Sequence, residues 1–327
     1  MNIFKKAALL FLLLLFSFPL SVSALAKEES RGIKWVEFGV TKEALADAAA
    51  VDMKTYGQKR HYSWIELLSY LGQRYGGDFS RYKKSDLDTL VKEAEEKKIS
   101  ELAKNKKLYN YYLSAYGATL SGIIGPYTKE WEKGGVTVWE EGYGVRAFSP
   151  IAALYSYTHY DDFGASRSYG YKRKHLGHDM MGSVGTPIVA TEGGIVEHLG
   201  WNQYGGWRIG IRSYDGKRYY YYAHLRKNHP YADLYEGQSV AAGEVIGYLG
   251  MTGYSAKENV NNINVPHLHY GIQLIFSPEQ KDGINQIWLD CYALTEFLSA
   301  YRSRTYFCEE SGERKATFRI LVPETPE

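Results

Sequence analysis

Two short stretches of the chain carry residues able to hold a metal ion. In HLGHDMMG, His175 and Asp179 stand four residues apart with Gly177 between them. A helical turn, or an extended segment crossing a cleft, can aim both side chains at one point. An imidazole with a carboxylate suits Zn²⁺, although such a pair alone sits as readily on a solvated face. PHLHYG adds imidazoles: on a strand His267 and His269 share one side, while Leu268, Tyr270 and Ile272 pack into a core behind them. The aromatic run Tyr219 to Tyr222 reads as a further strand, since tyrosine favours strands and tolerates a partly wet face, and His224 closes it.

Taken in order, H-x-G-x-D, a Y-x-H strand and H-x-H resemble the lysostaphin/LytM-type zinc metallopeptidases, which cut peptide bonds in bacterial cell walls. The framing fits as well: DFGASR (Asp162 to Arg167), GTPIVATEGGIVEHLG after the first ligand pair, and EGQSVAAGEVIGYLGMTG before the last. Three motifs in the right order are far more specific than any one of them. The resemblance runs from about Phe148 to Leu298 and implies a β-sandwich-like domain with an open groove.

It also implies a site. His175, Asp179 and His269 become the ligands of one Zn²⁺ per chain, with water or substrate in the remaining position, the arrangement of a catalytic zinc. Such a site lowers the pKa of bound water towards about 7. His267 and His224 match the family's two non-ligand histidines. No glutamate stands ready as general base, so an imidazole must move the proton. His267 is assigned that transfer and His224 the stabilisation of the oxyanion as a donor; the reverse assignment stays open. On a regular strand Tyr222 would share the face of His224 and help orient substrate. His61, His159, His198 and His229 sit in no ligand spacing and read as surface or satisfied core residues, and His178 as a structural hydrogen-bonding residue.

The implied activity is that of an exported zinc endopeptidase acting on peptidoglycan stem peptides or cross-bridges. The alternative is a non-catalytic scaffold or peptidoglycan-binding protein of the cell envelope with the same fold; the complete ligand set favours the enzyme. Two departures from the family pattern bear on substrate. Tyr254 to Pro266 is several residues longer than the usual link and is expected to border the groove. Tyr270 and Gly271 stand where relatives often continue with an aromatic residue and a glutamate.

The elements that must position these residues form an α+β chain of two parts, a helical N-terminal domain followed by the antiparallel β-sandwich-like peptidase domain. Residues 1–26 read as an export signal: Lys5 and Lys6, an apolar run from Ala7 to Val22, and Ala24-Leu25-Ala26 as cleavage site. Without them the 39 basic residues fall to 37 against 37 acidic ones, a balance that argues against a nucleic-acid partner. Residues 27–116 read as the helical domain. In it Ser63 and Glu66 form a capping box ahead of the stripe Trp64, Ile65, Leu68, Leu71 and Tyr75, and a second helix opens near Ser85. The charged run Lys92 to Lys107 reads as a solvated helix face, with docking to wall polymer or an envelope protein as the functional alternative. Glycines and Pro126 break up residues 117–147 into a connection of short strands or loops. Residues 148–302 hold the peptidase domain, in which SYDG is a hairpin turn and Tyr292 to Tyr301 a helix. Residues 303–327 are expected as a loose tail. Cys291 and Cys308 are the only cysteines; a disulfide and two free thiols are equally open readings.

Overall fold

Alternation along HLHYGIQL builds the centre of the molecule. The computed structural model describes residues 34–36 and 38–322, and in it His267–Leu274 is a strand bordered on both edges. Its first half pairs with His178–Met181 and its second half with Ile287–Leu289, while Arg218–Ala223 runs along the other edge. Gly206–Ser213, Gly194–Asn202 and Ser239–Val240 extend the sheet beyond Arg218–Ala223, giving nine strands among the described residues. All pairings in it are antiparallel except Lys34–Val36 with Ile287–Leu289. The SYDG segment makes the expected turn, with Gly216 at φ 72°. Ile188 and Ile246 come from a small second sheet, Pro187–Val189 with Val245–Tyr248, and share one core with Val196, Ile209, Tyr220, Tyr222, Leu268 and Tyr270. Two layers closed on tyrosine and aliphatic side chains give the antiparallel β-rich domain the motifs implied.

Ahead of it lie five helices: α1 (Lys42–Thr55), α2 (Trp64–Tyr75), α3 (Lys84–Glu93), α4 (Ile99–Leu102) and α5 (Lys106–Leu120). Trp64, Leu67, Leu68 and Leu71 form the buried stripe of α2, which Gly76 ends in the left-handed conformation. Its cap differs from the expected box. Ser63 makes no side-chain cap bond; the Trp64 N–H donates instead to Asp52 Oδ2 of α1, at 2.8 Å. The other oxygen of buried Asp52 takes His61 Nε2 at 2.8 Å and the Tyr143 hydroxyl at 2.6 Å. One carboxylate thus ties α1, the start of α2 and Tyr143 of the later strand Val136–Val145 together. The charged run Lys92 to Lys107 is not one helix. It holds the end of α3, a turn, α4 and the start of α5, because Ile99 and Ala103 turn inward.

A sixth helix, α6 (Tyr292–Leu298), lies where the terminal helix was expected, and its Phe297 ring meets Trp64 of α2 at 5.9 Å. The core is continuous through such contacts, and the described residues cluster as one compact unit.

Two expectations change. The connection contains a long hairpin, Ile124–Lys133 with Val136–Val145, turned at Gly134 and Gly135 with φ of 60° and 78°. The expected tail forms the strands Thr305–Cys308, Glu313–Ala316 and Arg319–Leu321. The last joins that hairpin, because Ile320 is buried beside Phe148 and Val245 and Arg319 pairs with Glu130. Both cysteines are free: Cys291 is buried and Cys308 lies on the outer hairpin. The expected export signal lies outside the described residues, and no helix among those described is long and apolar enough to cross a membrane.

Candidate active site

Register brings the candidate ligands together. His269 on the central strand stands directly opposite Asp179 on His178–Met181, and side chains opposite each other in a ladder share one face. His175 precedes that strand, in a segment held by its own N–H to Ala165 O at 2.9 Å and by Gly164 N–H to its carbonyl at 2.8 Å. The segment passes so close to the central strand that a Cβ on Gly177 would sit 2.4 Å from Tyr270 O. Only glycine lets His175 and Asp179 converge from there. Gly271 has a similar reason: a Cβ would lie 2.8 Å from both Leu176 O and the Trp288 ring, so Trp288 fills the place beside it.

The donor atoms form a tight triangle. His175 Nε2 lies 2.7 Å from His269 Nδ1 and 3.0 Å from Asp179 Oδ1, and His269 Nδ1 is 3.3 Å from that same oxygen. A tetrahedral site with metal–nitrogen bonds of about 2.0–2.1 Å has edges of about 3.3 Å, so a small outward shift of the imidazoles admits such a cation. The remaining bonds fix how each group faces the triangle. His175 Nδ1 lies 3.1 Å from Asp162 O and donates to it, so Nε2 is the nitrogen turned into the triangle, where a proton or a metal ion can sit. Asp179 keeps Oδ1 inward because Arg167 Nη2 holds Oδ2 at 2.9 Å, while the same guanidinium group grips Asp162 at 2.6 Å.

The electrostatics favour a cation. Burial works against a charge on Asp179, yet hydrogen bonds from His175 and His269 more than reverse it and hold the carboxyl well below the usual range. Burial likewise opposes charge on His175, but the Asp162 and Asp179 carboxylates raise it to about 9. A proton and a metal ion answer the same local field.

His267 and His224 complete the cleft. His267 Nδ1 lies 2.8 Å from Val265 O and His224 Nδ1 2.8 Å from Thr252 O, so both rings turn Nε2 away from those carbonyls. The His224 ring is 4.8 Å from that of His267 and 5.9 Å from that of His269. Burial first, then the neighbouring His267 and His269, push the His224 pKa well below its ordinary value.

Tyr222 does not reach this cleft. It is fully buried, and its hydroxyl accepts the Thr191 N–H at 3.0 Å on the core side. Alternation fails because the strand ends at Ala223 and His224 adopts φ 61°, a left-handed conformation that swings its ring to the opposite face. Tyr221 lines the cleft instead, 5.7 Å from the His269 ring. His178 is buried, with Nδ1 3.5 Å from Cys291 Sγ and Nε2 3.5 Å from His159 Nδ1. Burial, then His159, lowers its pKa to about 3, the neutral structural histidine expected. His61 binds Asp52, and His229 pairs with Glu313 at the surface. Of the long link, Tyr254 borders the cleft, whereas Asn259 turns away to accept from Trp207 Nε1 at 3.0 Å.

Reasoning from spacing missed Asp162, Arg167, Arg173, Tyr204 and Tyr221. DFGASR was visible only as framing; the acid and the base five residues apart within it were the available signal.

Residues 173–283 match the model described as Peptidase family M23, a span that holds all five site residues but neither Asp162 nor Arg167. An L-Ala–D-Glu endopeptidase of Bacillus subtilis is 37% identical over 166 residues, 50% of this chain and 47% of that protein. Lysostaphin of Staphylococcus simulans is 37% identical over 97 residues, 29% of this chain and 17% of that protein. The chain thus spans about half the length of the first and under a fifth of the second. A crystal structure from Ruminococcus gnavus, assigned as a glycyl-glycine endopeptidase lytM, superposes with a TM-score of 0.55 at 20% identity, over 81% of this chain and 90% of that one. At that identity the likeness concerns the fold, helical region included.

Proposed function

We propose that this chain, which carries a peptidase family M23 domain over residues 173–283, is an exported zinc endopeptidase that hydrolyses peptide bonds in peptidoglycan, with one Zn²⁺ held by His175, Asp179 and His269. The observation that carries the reading is the convergence of His175 Nε2, Asp179 Oδ1 and His269 Nδ1 beside two more imidazoles whose Nδ1 atoms already face backbone carbonyls. When bound, zinc polarises the peptide carbonyl and lowers the pKa of water in the site.

The chain's own residues then handle position and protons. His267 Nε2 lies 3.6 Å from Asp179 Oδ1, next to the ligands, and its lone pair accepts a proton from the attacking water. The water oxygen ends on the carbonyl carbon. The proton passes from His267 to the departing nitrogen as the C–N bond breaks. His224 Nδ1 faces Thr252 O, so its Nε2 can donate to the developing oxyanion only where His224, rather than His267, has taken the proton of the attacking water, the reversed assignment that the sequence left open. Tyr221 packs against His269 and limits its rotation. A scaffold would need the fold and not this surplus of inward lone pairs.

Digesting purified cell walls and identifying released peptides by mass spectrometry tests the reading. The zinc-loaded protein should release stem-peptide fragments, and His267→Ala should slow release by roughly 10² to 10⁴ while the metal stays. A folded, zinc-loaded chain that releases nothing from any wall would favour the scaffold.

A further inference from the structure

The cleft above the ligands is charged one-sidedly. Beside its histidines it is lined by Arg167, Arg173, Lys174 and the single carboxylate of Asp179. Asp179 is engaged on both oxygens, by the two imidazoles and by Arg167. Arg167, Arg212, Arg218 and Arg319 each face a carboxylate. Arg173 differs. Among the described residues it forms no ion pair, and of its five N–H donors Nη1 alone is engaged, on Tyr169 O at 2.7 Å.

This guanidinium is nevertheless held in place. It lies 4.8 Å from the Tyr204 ring, 5.5 Å from Tyr254 and 5.9 Å from Tyr171. The tyrosines brace one another: Tyr169 stacks on Tyr254 at 4.7 Å with planes 12° apart, and Tyr204 meets Tyr171 edge-on at 5.7 Å. With Nη1 on Tyr169 O, Nε and Nη2 form the side of the planar fork left without an acceptor, and two such N–H groups pair with a carboxylate through parallel bonds. Lys174 beside it adds a second, exposed positive charge. Arg173 stands two residues before His175, within about 7 Å along an extended chain, and lines the same cleft, so a carboxylate it binds lies close to the ligands and to the bond they would act on.

We propose that Arg173, clamped by Tyr204 and Tyr254, is a specificity-determining residue of this cleft that binds a carboxylate of an acidic peptide substrate. The inference rests on the peptidase reading above and narrows it: a peptide with a free carboxylate next to the scissile bond is taken in preference to a neutral one such as a glycine bridge. Tyr254 enters through the long link, which ties that insertion to substrate choice.

The test uses two synthetic stem peptides, identical except that one carries a free carboxylate and the other its carboxamide beside the scissile bond. Binding to the zinc-loaded full chain is measured by calorimetry, and cleavage by chromatography. Wild type should favour the acid roughly tenfold or more in Kd, the weight of one charge-assisted pair, and added salt should narrow that ratio. Arg173→Gln should bring the ratio towards one with zinc content unchanged, and Arg173→Lys should restore part of it. Equal handling of both peptides by wild type, or a preference that survives in Arg173→Gln, would overturn the proposal. The two readings fail separately: Arg173-dependent binding without cleavage refutes the peptidase, whereas cleavage of both peptides alike refutes the role of Arg173.

Discussion

Among the described residues, the cluster around Arg218 and the one at the candidate site are both buried and polar, with opposite outcomes. In the first, Arg218 is fully buried between the sheet and the end of α5, and every one of its N–H groups has an acceptor. Nε and Nη2 bond the two oxygens of Glu192 at 2.8 and 3.0 Å; Nη1 bonds Ala118 O and Ser121 Oγ, and Nη2 also Asp215. The Tyr220 hydroxyl bonds Glu192 at 2.6 Å, and Gly122 leaves the room, since a Cβ there would lie 1.9 Å from that carboxylate. Donors and acceptors balance, so nothing further can bind. In the second, His175, Asp179 and His269 turn three acceptors onto one point, and acceptors in excess call for a cation. A buried charge cluster is structural or functional according to whether its hydrogen-bond capacity closes on itself.

That contrast can be broken from either side. Removing one partner of the closed cluster should have the larger effect on stability: Arg218→Met leaves Glu192 buried without its cation and should cost about 3–5 kcal/mol. Urea unfolding measures it, and the double variant Arg218→Met/Glu192→Gln should recover part of the loss. A loss under about 1 kcal/mol, the weight of a surface pair, would deny the cluster its structural role. On the open side the expected effect is smaller. Arg167→Gln releases the outer oxygen of Asp179 and should weaken metal binding by roughly 10- to 100-fold, as outer partners of ligands do. Competition with a chelator reads it; unchanged affinity would mean that Asp179 is aimed by its strand alone.

Legibility followed the same division. The pairs His175/Asp179 and His267/His269 stand out by spacing and strand alternation, but the choice of three ligands rests on the family resemblance, because His269 meets Asp179 only across a ladder between residues 90 positions apart. The Tyr222 assignment failed because alternation was carried one residue past the strand, into a left-handed His224 that no spacing announces. Asp52 capping α2 from twelve residues away, and Arg218 reaching α5 across 97 to 100 positions, are contacts made only by the tertiary fold. The terminal strands escaped notice because they are short, polar and anchored mainly by Ile320. Asp162 and Arg167 stand in the framing segment DFGASR, and their role depends on a loop that returns to Asp179, which no local spacing shows.

In the proposed site His175, Asp179 and His269, and not the two remaining imidazoles, hold the metal. Elemental analysis of zinc per chain in wild type, His269→Ala and His267→Ala tests it most directly. About one zinc is expected in wild type and in His267→Ala, and loss of zinc in a folded His269→Ala, whose site keeps only two of its three protein ligands. Zinc lost from His267→Ala and retained in His269→Ala would contradict it.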